Sequence, residues 1–362
     1  MNYIGSKYSL LPFLEQSIRS VVESEGGAPP RTFTDLFAGT GQVGRHFKKK
    51  GYRIIANDVQ YYSYVLNRHY IGNHTLPLFQ GLVEDIPAIA TAEAEEERSI
   101  VVCEYLDALL PQHGFIYHNY CRGDKQEDDD YCLYFSNENG ARCDAIRQKI
   151  EEWHVERKIN DDEYFFLLTT LIENIDKVAN TASVYGAFLK RIKASARKPL
   201  RMIPVEQIVN EQEHSVFNTD ANRLNREIDT DILYLDPPYN HRQYGANYHV
   251  LETIARYDNP ELRGKTRMRD YSGQKSAYCS ASKVAASFRD LIDNTRARFV
   301  FLSYNNEGIM SFEQIRNIMS KCGRYGCFEQ RYNRFKADKE SEVRNIKADA
   351  TTEYLHYVVI EQ

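Results

Sequence analysis

The chain has 362 residues, of which 42% are hydrophobic and 27% charged, and a formal net charge of −5. This length accommodates a large α/β domain with a smaller inserted or appended one, and this composition excludes a disordered chain. The negative charge confines any nucleic-acid contact to a local basic patch, and the lack of any run near ~18 apolar residues excludes a transmembrane helix. The cysteines include the evenly spaced Cys121, Cys132 and Cys143 but no CxxC pair, so reduced thiols and no metal site are expected. Met1-Asn2-Tyr3-Ile4-Gly5 has no apolar signal core, and a cytoplasmic location with no membrane contact is expected.

The segment Asn2-Tyr3-Ile4-Gly5-Ser6-Lys7 begins with a turn. Leu10, Leu11, Leu14, Ile18, Val21 and Val22 then recur at helical spacing, which puts Lys7 near a helix start. A β-prone run next leads into Asp35-Leu36-Phe37-Ala38-Gly39-Thr40-Gly41, a glycine loop followed by a helix through Val43 and Phe47. Glycines permit tight turning and close approach of the backbone to a ligand, and helix-start N–H groups can face it. Gly39, Gly41 and Gly44 also satisfy the dinucleotide spacing G-x-G-x-x-G, so a nicotinamide enzyme competes here. Asp35 counts against it, because an acid at the strand end repels a pyrophosphate but welcomes an ammonium group. Tyr52 to Asp58 reads as a second strand, and Asp58 falls where a carboxylate holds ribose hydroxyls. A ligand with an ammonium, a ribose and no phosphates fits S-adenosylmethionine better than a nicotinamide dinucleotide. A βαβ unit without ligand is the plain alternative.

From Gln60 the pattern becomes tyrosine-rich, then helical and acidic. Ile146, Ile150 and Trp153, then Phe165, Leu168, Leu171, Ile172 and Ile175, mark helices, and residues 68–178 read as a mainly helical insertion. The cations Lys190, Arg191, Lys193, Arg197, Lys198 and Arg201 follow with no acid between them. They suit either a solvated helix face or contact with phosphates, which positions DNA without reading its sequence. Val216 to Ala221 looks like a short third strand, with Asp220 placed to touch the adenine of the cofactor.

The organising stretch is Ile232-Leu233-Tyr234-Leu235-Asp236-Pro237-Pro238-Tyr239-Asn240. The prolines stop the strand at Asp236 and stiffen the turn at its carboxyl end, which is where open α/β sheets bind ligands. A carboxylate, a carbonyl at Pro237 and the aromatic face of Tyr239 suit a planar base with an exocyclic amino group. A plain turn is the alternative for these residues taken alone. Beyond them, Arg242 and Tyr244 belong to a polar, aromatic run placed to line a substrate channel, and Arg263 to Lys275, with Arg267, forms a basic loop. Phe299 to Asn306 reads as another strand. Tyr332 to Lys339 and Glu353 to Ile360 read as a terminal strand pair, whose Arg331, Arg334 and Lys336 face DNA or serve solubility.

Three of these stretches, in this order, resemble the alpha group of S-adenosylmethionine-dependent DNA adenine methyltransferases, which includes bacterial deoxyadenosine methylases and restriction-system modification enzymes. They are Asn2-Tyr3-Ile4-Gly5-Ser6-Lys7, Asp35-Leu36-Phe37-Ala38-Gly39-Thr40-Gly41 and Asp236-Pro237-Pro238-Tyr239. The resemblance covers nearly the whole chain. It implies a Rossmann-like α/β sheet with helices on both faces, a catalytic domain in residues 1–67 and 179–362, and target recognition by the 68–178 insertion. It implies cofactor contacts from Tyr3, Lys7, Asp35, Phe37, Ala38, Gly39, Thr40, Gly41, Asp58, Asp220 and Asp236, and a catalytic loop of Asp236, Pro237, Pro238 and Tyr239. Double-stranded DNA is the expected partner, with Lys190, Arg191, Lys193, Arg197, Lys198, Arg242, Tyr244, Arg267, Arg334 and Lys336 as candidate contacts. A cognate restriction endonuclease acting separately and a monomeric enzyme are further expectations. An RNA or cytosine amino-methyltransferase on the same fold, and a non-catalytic DNA-binding relic of it, are the alternatives.

Overall fold

The structure, a computed structural model, describes residues 4–126, 131–210, 212–333 and 350–360. Its strands, in chain order, are β1 (Thr32–Asp35), β2 (Arg53–Asn57), β3 (Ser215–Phe217), β4 (Thr230–Leu235), β5 (Leu262–Arg263), β6 (Met268–Arg269), β7 (Ala297–Asn305), β8 (Arg324–Asn333) and β9 (Ala350–Val359). All but β5 and β6 form one seven-stranded sheet in the order β3-β2-β1-β4-β7-β9-β8. The pairs from β3 through β7 are parallel, and β9 runs antiparallel to both β7 and β8. The fold is therefore α/β with a mostly parallel sheet, as expected. The strand order reverses between β1 and β4, the topological switch point at which such sheets take their ligands.

The chain divides into two compact units. The sheet unit comprises Gly5–Val59, Gln212–Gln243 and Gln274–Gln362, and the helical unit Met1–Ile4, Gln60–Glu211 and Tyr244–Gly273. In the sheet unit, alternate residues of each strand face opposite ways. Phe33 of β1 and Tyr234 of β4 share one face, where Phe47 of α2 (Gln42–Lys49) stacks on Phe33 with ring centroids 4.2 Å apart. Glu15 of α1 (Leu11–Glu25) reaches His46 and Lys50 on the same side. Leu36, Leu233, Leu235, Val300 and Leu302 form the other face with α8 (Ala221–Asn225), α11 (Val284–Asp293) and α12 (Phe312–Met319). Both faces of the parallel strands are thus covered, which is why those strands read as nearly continuous apolar runs.

The helical unit holds α3 (Tyr61–Asn67), α4 (Glu95–Asp107), α5 (Phe115–Tyr120), α6 (Asn137–Val155), α7 (Asp161–Lys177), α9 (Tyr244–Asn247) and α10 (His249–Arg256). Its boundaries follow capping chemistry. Ser136 starts α6 by accepting the Asn139 N–H, and Asn160 and Glu163 cap α7 reciprocally. This unit is larger than the 68–178 insertion expected from sequence. Val250, Leu251 and Ile254 of α10 pack in one core with Tyr62, Trp153, Phe166 and Leu171, and the buried Glu252 accepts the Tyr62 N–H at 2.8 Å. Residues 244–273 therefore join the insertion through packing that no local pattern announces. Cys121, Cys132 and Cys143 are free thiols of this core.

Other elements differ locally. The cationic segment around residues 190–201 is irregular apart from a single 3₁₀ turn at Ala194–Arg197, so it is not a helix face. The basic loop after Leu262 is a short hairpin of β5 and β6. Strand β8 begins well before Tyr332. Gly326 lies in it because a side chain there would run into the Tyr357 ring on the neighbouring β9.

Candidate active site

Four parallel strands of the sheet unit end at one edge, and the chain places an acid after or at each end. Asp35 closes β1, Asp58 follows β2, Asp220 follows β3 and Asp236 follows β4. The glycine loop between Asp35 and α2 is held by backbone bonds and by the side chains of Asp58 and Asn57. Ala38 donates to the Asn57 carbonyl at 2.9 Å, Gly41 donates to the Ala38 carbonyl at 2.8 Å, and Gly39 donates to the Asp58 carboxylate at 2.9 Å. Gly39 and Gly41 have φ of 52° and 74°, the left-handed region in which a side chain is strained. Asn57, fully buried, donates to the carbonyls of Leu36 and Thr219 and accepts the Thr219 N–H, each at 3.1 Å. It ties the glycine loop to the turn after β3. No sequence pattern marked it, since a buried asparagine at a strand end looks like any turn residue.

Asp35 is buried, and its Oδ1 has no hydrogen-bond partner among the described residues. Burial, and then the nearby carboxylates of Asp236 and Asp58, push its carboxyl well above the usual range despite the backbone N–H groups of Phe37 and Gly44. An acid held dry beside two others is a site for a cation. S-adenosylmethionine carries an ammonium on its amino-acid moiety, so the donor set fits that group. Phe37 meets Tyr278 edge-on at 5.0 Å, and Ala38 and Thr40 are buried in the loop.

Asp236 stands at the head of the prolines, its side chain 18% exposed. Lys7 reaches it at 3.2 Å and reaches Glu353 of β9 at 2.7 Å. Burial pushes the Asp236 carboxyl up to about 7; the Lys7 ammonium opposes that shift and the Glu353 carboxylate adds to it. Burial alone would lower the Lys7 ammonium, but Asp236 and Glu353 hold it above its ordinary value, so it stays charged. Tyr239 lies 5.6 Å, ring centroid to Nζ, from Lys7 and edge-on to Tyr304 at 6.2 Å. Its carbonyl accepts the Ile309 N–H at 3.0 Å, which fixes the loop from the far side. Pro237 is buried and Pro238 half-buried. An anion, a cation and an aromatic face therefore meet where the sequence placed the catalytic loop.

Residues 3–318 match the model of the family described as D12 class N6 adenine-specific DNA methyltransferases. The chain belongs to that family. It is an adenine-specific DNA methyltransferase, and its sheet is that of a class I methyltransferase. Its sequence is 49% identical to Type II methyltransferase M.NlaIII of Neisseria lactamica, over 98% of each chain. It is 32% identical to Type II methyltransferase M.CviAII of Paramecium bursaria Chlorella virus 1, over 100% of this chain and 99% of that one. It is 35% identical to Type II methyltransferase M.FokI of Planomicrobium okeanokoites, over 99% of this chain and 52% of that longer one.

Other candidate positions of the methyltransferase are more dispersed. The Asp220 carboxylate caps α8 by accepting the Arg223 N–H at 3.0 Å. Lys190, Arg191, Arg197 and Lys198 are exposed in the helical unit, whereas Lys193 is half-buried and donates to the Thr181 carbonyl at 2.7 Å. Arg242 is exposed in the sheet unit. In the helical unit, Tyr244 donates to the Ile4 carbonyl at 3.3 Å, and Arg267 is half-buried in the β5–β6 turn with φ of 50°. Tyr3, Arg334 and Lys336 lie outside the described residues. Among the described residues, no helix is long and apolar enough to cross a membrane.

Proposed function

We propose that this methyltransferase uses S-adenosylmethionine to modify the 6-amino group of adenine in a short duplex DNA motif, as the cytoplasmic modification half of a restriction–modification system whose endonuclease acts separately. The observation that carries the cofactor reading is the buried, unpartnered Asp35 Oδ1 beside Asp58 and Asp236. In this reading Asp35 binds the ammonium of the cofactor, Asp58 and the Gly39–Gly41 backbone hold its ribose side, and Phe37 and the Asn218–Asp220 turn flank its adenine. When bound, that cofactor supplies a methyl group activated by a sulfonium centre. The restriction–modification setting is supported by the Type II methyltransferases to which the chain is similar.

The remaining work falls to the loop after β4. The amino nitrogen of adenine is a poor nucleophile because its lone pair is delocalised into the ring. Asp236 and the Pro237 carbonyl accept its two hydrogens, which favours a pyramidal nitrogen with a free lone pair, and Asp236 is placed to take up the proton released. Orientation and fixed charge supply most of the rate. The target leaves the duplex at a cost of a few kcal/mol, offset by stacking on Tyr239. The exposed cations Lys190, Arg191, Arg197 and Lys198 serve the phosphates, so binding weakens steeply with salt.

Methyl transfer from labelled S-adenosylmethionine to unmodified genomic DNA, with nucleoside analysis and mapping of modified sites, tests the reading. Label is expected in N6-methyladenosine at one short motif, and Asp236→Ala is expected to abolish it with cofactor binding retained. Label in cytosine or RNA, or near-normal turnover by Asp236→Ala, would overturn it.

A further inference from the structure

Glu353 lies outside the three sequence motifs and has no assigned role. It sits on β9, the strand next to the β8 edge, between Asn305 of β7 and Gln330 of β8, and its side chain is fully buried. A buried glutamate needs partners that justify its charge. Its Oε1 accepts from Lys7 Nζ and from the Ser303 hydroxyl, and its Oε2 has no hydrogen-bond partner among the described residues. Lys7 is thus shared between two acids, one catalytic and one not. The ammonium could neutralise Asp236 alone; Glu353 draws it the shorter distance, 2.7 Å against 3.2 Å.

We propose that Glu353 is a positioning residue for methyl transfer, anchoring the Lys7 ammonium on β9 so that it steers Asp236 without cancelling its charge. Lys7 then occupies one Asp236 oxygen, Oδ1, and leaves the other to accept a hydrogen from the target amino group. The inference rests on the assignment of Asp236 to that amino group. The charged and titratable groups around Asp236 are Lys7 from the segment before α1, Glu353 from β9, Asp35 from β1, and Tyr234 from β4, with Tyr239 in its own loop beside Lys7. Of these, Lys7 favours the ionised form of Asp236, and Glu353 disfavours it.

The test is the pH dependence of kcat/KM for methylation of duplex DNA by the full chain. With wild-type enzyme the rate climbs as Asp236 ionises. Glu353→Gln keeps the shape and the acceptor but deletes the charge, and is expected to move the acid limb down by about one pH unit, roughly tenfold in rate on that limb. Lys7→Met removes the cation and is expected to move it up. Glu353→Asp, which restores the charge, is expected to return the midpoint toward wild type even where turnover is lower. Thermal unfolding of each variant confirms that it is folded. A folded Glu353→Gln enzyme with the wild-type profile, or shifts of the same sign in Glu353→Gln and Lys7→Met, would overturn the inference. Full activity in Asp236→Asn would instead overturn the assignment on which it rests.

Discussion

At Asp35 the protein holds one carboxylate oxygen away from water and gives it no hydrogen bond. Such a group costs about 1–3 kcal/mol, more when charged, so it persists where a ligand answers it. Asp35→Asn keeps the shape and removes the charge. Its affinity for S-adenosylmethionine is expected to fall by about 2–5 kcal/mol, as for other buried charge pairs that lose one partner. Calorimetric titration at pH 8, where Asp236 is ionised, measures this. Unchanged affinity would take the ammonium away from Asp35.

Among elements, the segment after β7 braces the Asp236–Tyr239 loop from outside it. The Tyr304 hydroxyl accepts the Met310 N–H at 3.1 Å, and its ring meets Tyr239 edge-on. Gly308 lies against that ring, where an added Cβ would come within 2.1 Å of it. Gly308→Ala is therefore expected to displace Tyr304 and, through Ile309, the Tyr239 carbonyl. A misplacement near 1 Å lowers turnover about a hundredfold. Steady-state kinetics with cofactor titration separates this from lost cofactor binding; wild-type kcat would show that the loop is held otherwise.

This scale also shows what local sequence can carry. Asp35, Gly39, Gly41 and Asp236 are legible as strand ends, a glycine loop and a proline turn because these are encoded within a few residues, and the Rossmann-like sheet is what the resemblance carried by those stretches implies. Glu353 was not, because its meaning depends on Lys7 at the far end of the chain. Asn57 was hidden for the same reason, its partners being Leu36 and Thr219. Residues 244–273 were assigned by sequence to the catalytic domain because nothing local in α10 says that Leu251 and Ile254 pack with Tyr62 and Leu171. The cations near residue 193 read as either a helix face or a phosphate contact; the segment is not a helix and is tied down by Asn180, which accepts the Lys193 N–H and donates to the Leu189 carbonyl.

For the whole molecule, the acids at the sheet edge couple stability to pH. Asp236 has a folded-state value raised to about 7, above the ordinary carboxylate range near 3.9, and Asp35 is raised as well. A group raised in the folded state contributes stability that is fully present below its unfolded value and is lost as pH climbs through its folded value. Between about pH 4 and 7 the ligand-free enzyme therefore loses what Asp236 contributed, and the raised Asp35 acts in the same direction. Asp236→Asn removes one of them, so its stability relative to wild type is expected to increase from pH 5 to pH 8. Denaturant unfolding at both values measures the difference; a difference independent of pH would mean that Asp236 titrates normally. The Asp236 carboxylate, to which we assign the target amino group, is in this sense kept at a cost in stability, as functional groups often are.

The Lys7–Glu353 contact joins residues 346 positions apart. Protein synthesis proceeds at about 5–20 residues per second, so roughly 17–70 seconds separate the two on the ribosome. Through that interval the nascent chain gains its glycine loop and then Asp236 with its prolines, while Glu353 is still to be made. The acid–lysine–acid arrangement forms only once β9 has been made, so a product terminated before Glu353 lacks it.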